Sequence, residues 1–107
     1  HPRNYGTFAR ILAYYVRDKQ LISTGEAIYK MSKMPAQRIG LDDRGRLEVG
    51  AMADIVVLDL DTIQDHASFD QPHQFATGVH HVLVNGVVVL KDAQMTGQRP
   101  GRSLRSR

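Results

Sequence analysis

Thirteen residues, Leu47 to Asp59, constrain this chain more than any other stretch. They read Leu47-Glu48-Val49-Gly50-Ala51-Met52-Ala53-Asp54-Ile55-Val56-Val57-Leu58-Asp59. Gly50 lacks a Cβ, so the backbone can bend there into conformations other residues avoid. Small Ala53 and polar Asp54 suit a tight approach to a strand. Ile55, Val56 and Val57 are β-branched and Leu58 is apolar, so both faces of the run are hydrophobic. The pattern suits a strand covered on both sides, although four residues are also compatible by periodicity with a short helical segment. Asp59 ends the run.

The segment before it is helical in pattern. Phe8, Ile11, Leu12, Tyr15 and Val16 follow the spacing of one helix face, with Arg10, Arg17 and Asp18 off the stripe. A helix is expected over about Thr7–Lys19, preceded by a loop over His1–Asn4, where Pro2 disfavours helix at His1. Ser23 and Glu26 have capping-box spacing. The helix after them carries Ala27, Ile28, Met31 and Met34. Pro35 can open another helical turn, and Gly40 suits the position just past its end. Asp42-Asp43-Arg44-Gly45-Arg46 has turn chemistry.

Beyond Asp59, the stretch Asp61–Thr77 has sparse hydrophobics. It reads as a long functional or packing loop with a short helical piece around Thr62–His66. Asn85-Gly86, set between apolar runs, predicts a hairpin, because both central residues of its turn need positive φ. Gln94 is expected to close the second strand. The runs Ile55–Leu58 and Val82–Leu90 look buried on both faces, which hints at partner strands beyond this chain.

A chain of 107 residues suffices for one domain or part of a larger one. It has no apolar run of about 18 residues for a membrane span. It begins His1-Pro2-Arg3 with no initiating Met and no signal peptide, which suggests a trimmed chain, a proteolytic product or a fragment of a longer polypeptide. There is no cysteine, so no thiolate site is possible, and a cytoplasmic location is compatible with that. The net charge is +3, with Arg99, Arg102, Arg105 and Arg107 crowded at the end. A solvated terminus is the favoured reading over nucleic-acid binding, because no aromatics interleave for base stacking. His66, His73, His80 and His81 fall close together in sequence, but adjacent His80 and His81 point to opposite faces of a strand. No convincing metal-ligand spacing results, and no metal is expected on this chain. Asp42, Asp43, Asp59 and Asp61 sit in turns, where Asp is common.

Leu47, Gly50, Ala53-Asp54 and Ile55–Asp59 together resemble the amidohydrolase superfamily segment that leads out of a catalytic barrel into a small β-sandwich. The resemblance extends further. His1-Pro2-Arg3, Tyr5-Gly6-Thr7-Phe8, Tyr15-Val16, Asp43–Leu47, Pro72-His73-Gln74, Val84-Asn85-Gly86 and Arg99-Pro100-Gly101-Arg102 are similar to the end of N-acyl-D-amino-acid deacylases, the D-aminoacylase branch. It implies an α+β fragment: the terminal helices of a (β/α)8 barrel, then strands of the C-terminal β-sandwich. Residues 1–46 would supply the last barrel loop and helices. Residues 47–98 would supply the sandwich strands and long loop, and 99–107 a basic tail.

The activity implied is zinc-dependent hydrolysis of an N-acyl-D-amino acid to a carboxylate and a free D-amino acid. The zinc ligands and the catalytic Asp would precede His1, so this chain alone is expected to be inactive. The resemblance places His1, Arg3 and Tyr5 in the loop after the eighth strand, at the catalytic face. Arg3 could pair bidentately with the substrate carboxylate and Tyr5 could donate a hydrogen bond; alternatively both brace the loop. His1 could flank the metal cavity or fray. Two other readings stand beside this one: a fragment of a dihydroorotase- or hydantoinase-like amidohydrolase, and a non-enzymatic binding module. Cut from its barrel, the chain is expected to self-associate through its helix face and open strand edges.

Overall fold

The computed structural model describes residues 1–105. It is an α+β arrangement of helices followed by a four-stranded sheet. The chain divides into two compact units, residues 1–27 with 58–79 and residues 28–57 with 80–107. Among the described residues no helix is long and apolar enough to cross a membrane.

In the first unit, α1 spans Arg3–Arg10 and continues as a π-helix over Ile11–Asp18. The wider ladder is seen at its end, where the Lys19 N–H donates to the Tyr14 carbonyl five residues back. The helix therefore starts earlier than the loop expected over His1–Asn4. Pro2, with φ −61°, already has helical geometry and needs no hydrogen of its own at the start. The buried stripe is Ala9, Leu12, Ala13 and Val16, not the full set of large residues. Phe8 is 65% exposed and Tyr15 is also exposed, while the small Ala9 and Ala13 are buried.

The segment after Leu58 contains no helix at Thr62–His66. Asp59 explains the difference. Its side chain accepts the Asp61 N–H and its carbonyl accepts from Thr62 and Ile63, so a single turn closes locally. Gln64 then pairs antiparallel with Thr77. Ile63, 2% exposed, fills the centre of this unit. Arg17 fastens the helix to the turn. It donates to the carbonyls of Leu60, Asp61 and Ile63 and to Gln64 Oε1.

α2 spans Thr24–Ile28 and receives the expected cap, the Glu26 N–H donating to Ser23 Oγ at 3.1 Å. The helix passes through a π segment, Tyr29–Lys33, into α3, Met34–Arg38, with Pro35 in its first turn. Its end is a Schellman motif: Gly40 has φ 78°, the Leu41 N–H donates to Ala36 and the Gly40 N–H to Gln37. Of the expected apolar stripe only Ala27 is buried; Ile28 and Met34 are exposed.

The sheet runs in the order β1-β2-β3-β4, with β1 Ile55–Leu58, β2 Val79–Val84, β3 Val87–Lys91 and β4 Gln94–Met95. The β2–β3 hairpin turns at Asn85 (φ 51°) and Gly86 (φ 78°), as the Asn-Gly pair requires. The register shifts between Val82 and Leu83, leaving Val89 as the extra residue of a bulge. β4 was not expected. A second tight turn at Asp92 (φ 49°) and Ala93 (φ 65°) brings Gln94 opposite Lys91. An alanine in that conformation is disfavoured, so the sequence carries no hairpin signal there. Val56 is 54% exposed and Val57 is exposed too, so β1 is not covered on both faces within this chain.

A polar clamp organises the second unit. Arg44, with a side chain only 10% exposed, donates to Asp54 Oδ2 at 2.5 Å and to Asn85 Oδ1 at 2.6 Å. The Asn85 N–H returns to Asp54 Oδ1, and Asn85 Nδ2 donates to the Pro100 carbonyl. The polar loop, the residue before β1, the hairpin tip and the tail thus share one network.

Candidate functional site

The three residues singled out in sequence, His1, Arg3 and Tyr5, stand at the start of α1. The loop over residues 65–75 meets them within the same unit. Arg3 Nη2 lies 2.7 Å from Asp65 Oδ2. The Asp65 side chain is 3% exposed, and its Oδ1 accepts the Ala67 N–H at 2.9 Å. Gly6 makes room for it, since a Cβ on Gly6 would overlap the Asp65 carboxylate. The position demands glycine for this close approach.

Burial pushes the Asp65 carboxyl up. The hydrogen bonds from Arg3 and Ala67 and the charges of Arg3 and Arg10 outweigh it, so the group lies below its ordinary value. Asp65 is therefore a carboxylate at neutral pH. Arg3 Nη1 is enclosed and has no hydrogen-bond partner among the described residues. The guanidinium fork expected to grip a ligand with both arms is thus divided: one arm holds Asp65 and the other is unmatched.

Aromatic contacts surround the pair. The His1 ring meets Phe69 edge-on at 5.1 Å between centroids, and His1 Nδ1 accepts the Arg3 N–H. Tyr5 meets His73 at 5.3 Å, edge-on, and Phe75 at 5.6 Å. Phe69 and Phe75 are 80% and 83% exposed. The Arg3–Asp65 pair thus shares the start of α1 with His1 and Tyr5, whose rings rest on Phe69, His73 and Phe75.

Sequence reasoning missed Asp65. It lies 62 positions from Arg3 in a segment without periodicity, and only the closeness of Gly6 to it gives it away. The remaining candidates do not converge. His66 Nε2 bonds Thr77 Oγ1 at 2.8 Å, His73 stacks on Tyr5, and His81 stands 3.8 Å from Asp92. Among the described residues, no group of three or more His, Asp or Glu side chains could hold a metal ion. The donor set for the zinc implied by the resemblance is not formed among the described residues. Arg102 and Arg105 line an open groove with Leu41, Asp43, Arg44 and Met52, and Arg107 lies outside the described residues.

The chain is similar to known proteins over nearly its whole length. The amidohydrolase family profile matches residues 1–90. An N-acyl-D-glutamate deacylase of Alcaligenes xylosoxydans xylosoxydans is 50% identical over 98% of this chain, which covers 21% of that protein. A solved D-aminoacylase mutant in complex with CuCl2 superposes with a TM-score of 0.95 at 44% identity, covering 98% of this chain and 22% of that one. An N-acyl-D-glutamate deacylase from Bordetella bronchiseptica, complexed with zinc and a phosphonate mimic of the tetrahedral intermediate, gives 0.91 at 42% identity. It covers 99% of this chain and 22% of that one. The chain spans about a fifth of the length of the relatives it matches.

Proposed function

This chain belongs to the amidohydrolase family, and from that premise we propose that it is the C-terminal portion of an N-acyl-D-amino-acid deacylase. The whole enzyme hydrolyses the amide of its substrate to a carboxylate and a free D-amino acid. The observation that carries the reading is the similarity to deacylases across nearly the whole chain. In this reading residues 1–46 close the catalytic barrel, 47–98 build the small sandwich, and 99–107 form its basic tail. Zinc would be held by the part of the enzyme outside these residues, where it would supply polarisation of the amide and activation of water.

Arg3 supplies positive charge for the α-carboxylate of the substrate, and Tyr5 and His1 flank it. A guanidinium suits this task because it stays charged at any working pH and directs planar donors at a carboxylate. Desolvated, such a contact strengthens as water leaves the closed site. A substrate with a free carboxylate is therefore preferred over a neutral analogue.

The test compares substrates. The full-length polypeptide is assayed with N-acyl-D-glutamate, N-acyl-D-aspartate and N-acyl-D-leucine against dihydroorotate and hydantoin rings, before and after metal chelation. The reading requires turnover of a linear N-acyl-D-amino acid that chelation abolishes. Turnover of the cyclic amides alone would replace it with a dihydroorotase- or hydantoinase-like activity.

A further inference from the structure

Asp65 has no role in the reading so far, yet its placement is the most constrained in the first unit. Its side chain is 3% exposed. Two directed hydrogen bonds, from Arg3 Nη2 and the Ala67 N–H, fix both oxygens. The backbone of Gly6 forms the seat beneath it. A carboxylate held from three sides has little rotational freedom, and it transmits that order to whatever it binds. What it binds is the side chain nearest to substrate chemistry.

The guanidinium of Arg3 has five N–H donors in one plane. Asp65 satisfies the Nη2 corner. The enclosed Nη1 finds no acceptor among the described residues. The Arg3 side chain as a whole is 35% exposed, so the accessible part of the guanidinium, rather than Nη1, can take an acceptor from outside these residues. An anionic oxygen fits best, because hydrogen bonds between ions are shorter and stronger than neutral ones.

We infer that Asp65 is a positioning residue for substrate recognition: it fixes the Arg3 guanidinium through Nη2 and so orients its solvent-facing part toward the substrate carboxylate. This rests on the reading above, in which Arg3 takes that carboxylate. Asp65 touches no substrate. It removes rotamers of Arg3 that would otherwise have to be frozen on binding, so its contribution appears as affinity for the carboxylate.

The experiment uses the full-length enzyme and two substrates. One is an N-acyl-D-amino acid; the other is the matching compound with a primary carboxamide in place of the carboxylate. The readout is the preference for acid over carboxamide in kcat/KM. Asp65→Asn keeps the shape against Gly6 and removes the charge. It is expected to cut the preference about tenfold, through KM of the acid, which is the size of one weakened charged hydrogen bond. Asp65→Glu, which restores charge but displaces it by one methylene, is expected to recover part of the loss. Arg3→Gln is expected to cut the preference at least as far as Asp65→Asn.

The outcomes separate the two claims. If Arg3→Gln leaves the preference intact, the carboxylate reading of Arg3 fails and the inference falls with it. If Arg3→Gln removes the preference while Asp65→Asn slows both substrates alike, or neither, Asp65 is a brace and only the inference is overturned. Thermal melting identifies a variant that does not fold. Should Asp65→Asn be one, Asp65→Glu decides alone: a preference equal to the wild type overturns the inference, and a lowered one through KM supports it.

Discussion

Replacing Arg44 by methionine tests the clamp that holds the second unit together. Methionine keeps the long apolar stem and deletes the guanidinium. Two charge-assisted hydrogen bonds go with it, to Asp54 at 2.5 Å and to Asn85 at 2.6 Å. Each such bond contributes a net ~1.5–3 kcal/mol when well shielded. Shielding is uneven here, since the Arg44 side chain is 10% exposed but that of Asp54 is 33% exposed. Water can resolvate part of Asp54, which also keeps the Asn85 N–H at 2.9 Å. The Asn85 carbonyl is less easily compensated. The expected loss is therefore about 2–3 kcal/mol, below the sum of two fully buried bonds.

Urea denaturation followed by circular dichroism reads this loss. With a slope of ~1–2 kcal/mol per molar urea, the midpoint should fall by about 1–3 M. Asn85→Ala and the double variant complete a thermodynamic cycle, and a coupling of ~1 kcal/mol or more is expected between residues that share a network. A loss below ~0.5 kcal/mol with no coupling would refute the argument that the clamp holds the loop, the strand and the hairpin tip.

Four further outcomes are expected. Ala93→Gly should stabilise the chain by about 1 kcal/mol in the same urea assay, because Ala93 occupies φ 65°. Stability should fall as the solution is acidified below about pH 4. Asp54 and Asp65 are both held below their ordinary values, so their contribution is present above the unfolded carboxylate range and is lost as pH falls through the folded values; Asp65→Asn should flatten that slope in a pH series of melts. Arg17→Lys should lower the melting temperature and speed hydrogen exchange at Ile63 and Gln64, since one ammonium cannot serve three carbonyls and an amide. The isolated 107-residue chain should self-associate in light scattering, given the exposure of Phe8, Val56 and Phe75; a monodisperse monomer at high concentration would count against this.

Local rules made much of the fold legible. Ile55–Leu58 is a strand, Asn85-Gly86 is the hairpin tip, Ser23 caps the second helix and Gly40 closes it. Each depends on residues within a few positions of one another. What escaped depends on distant partners or on strain. Asp59 diverts its segment from helix by bonding its own neighbours. Ala93 accepts a left-handed conformation that its type disfavours, so β4 left no trace in the sequence. Ala9 and Ala13 are buried where periodicity would put Phe8 and Tyr15, which stand exposed.

The same division holds at the site. That His1, Arg3 and Tyr5 lie together at the start of α1 was legible because they sit in one short motif. Asp65 and Arg17 were not, since nothing local marks a carboxylate or a guanidinium whose partners lie more than forty positions away. Arg44 looked like one more charge in a polar loop, yet it is nearly enclosed.

The most direct test of the account is the hydrolysis of an N-acyl-D-amino acid and of its L-enantiomer, measured in parallel for the full-length polypeptide and for this 107-residue chain alone. The account predicts zinc-dependent hydrolysis of the D-enantiomer by the full-length polypeptide and none by the chain. Failure of the full-length protein to cleave any N-acyl-D-amino acid, or cleavage by the isolated chain, would contradict it.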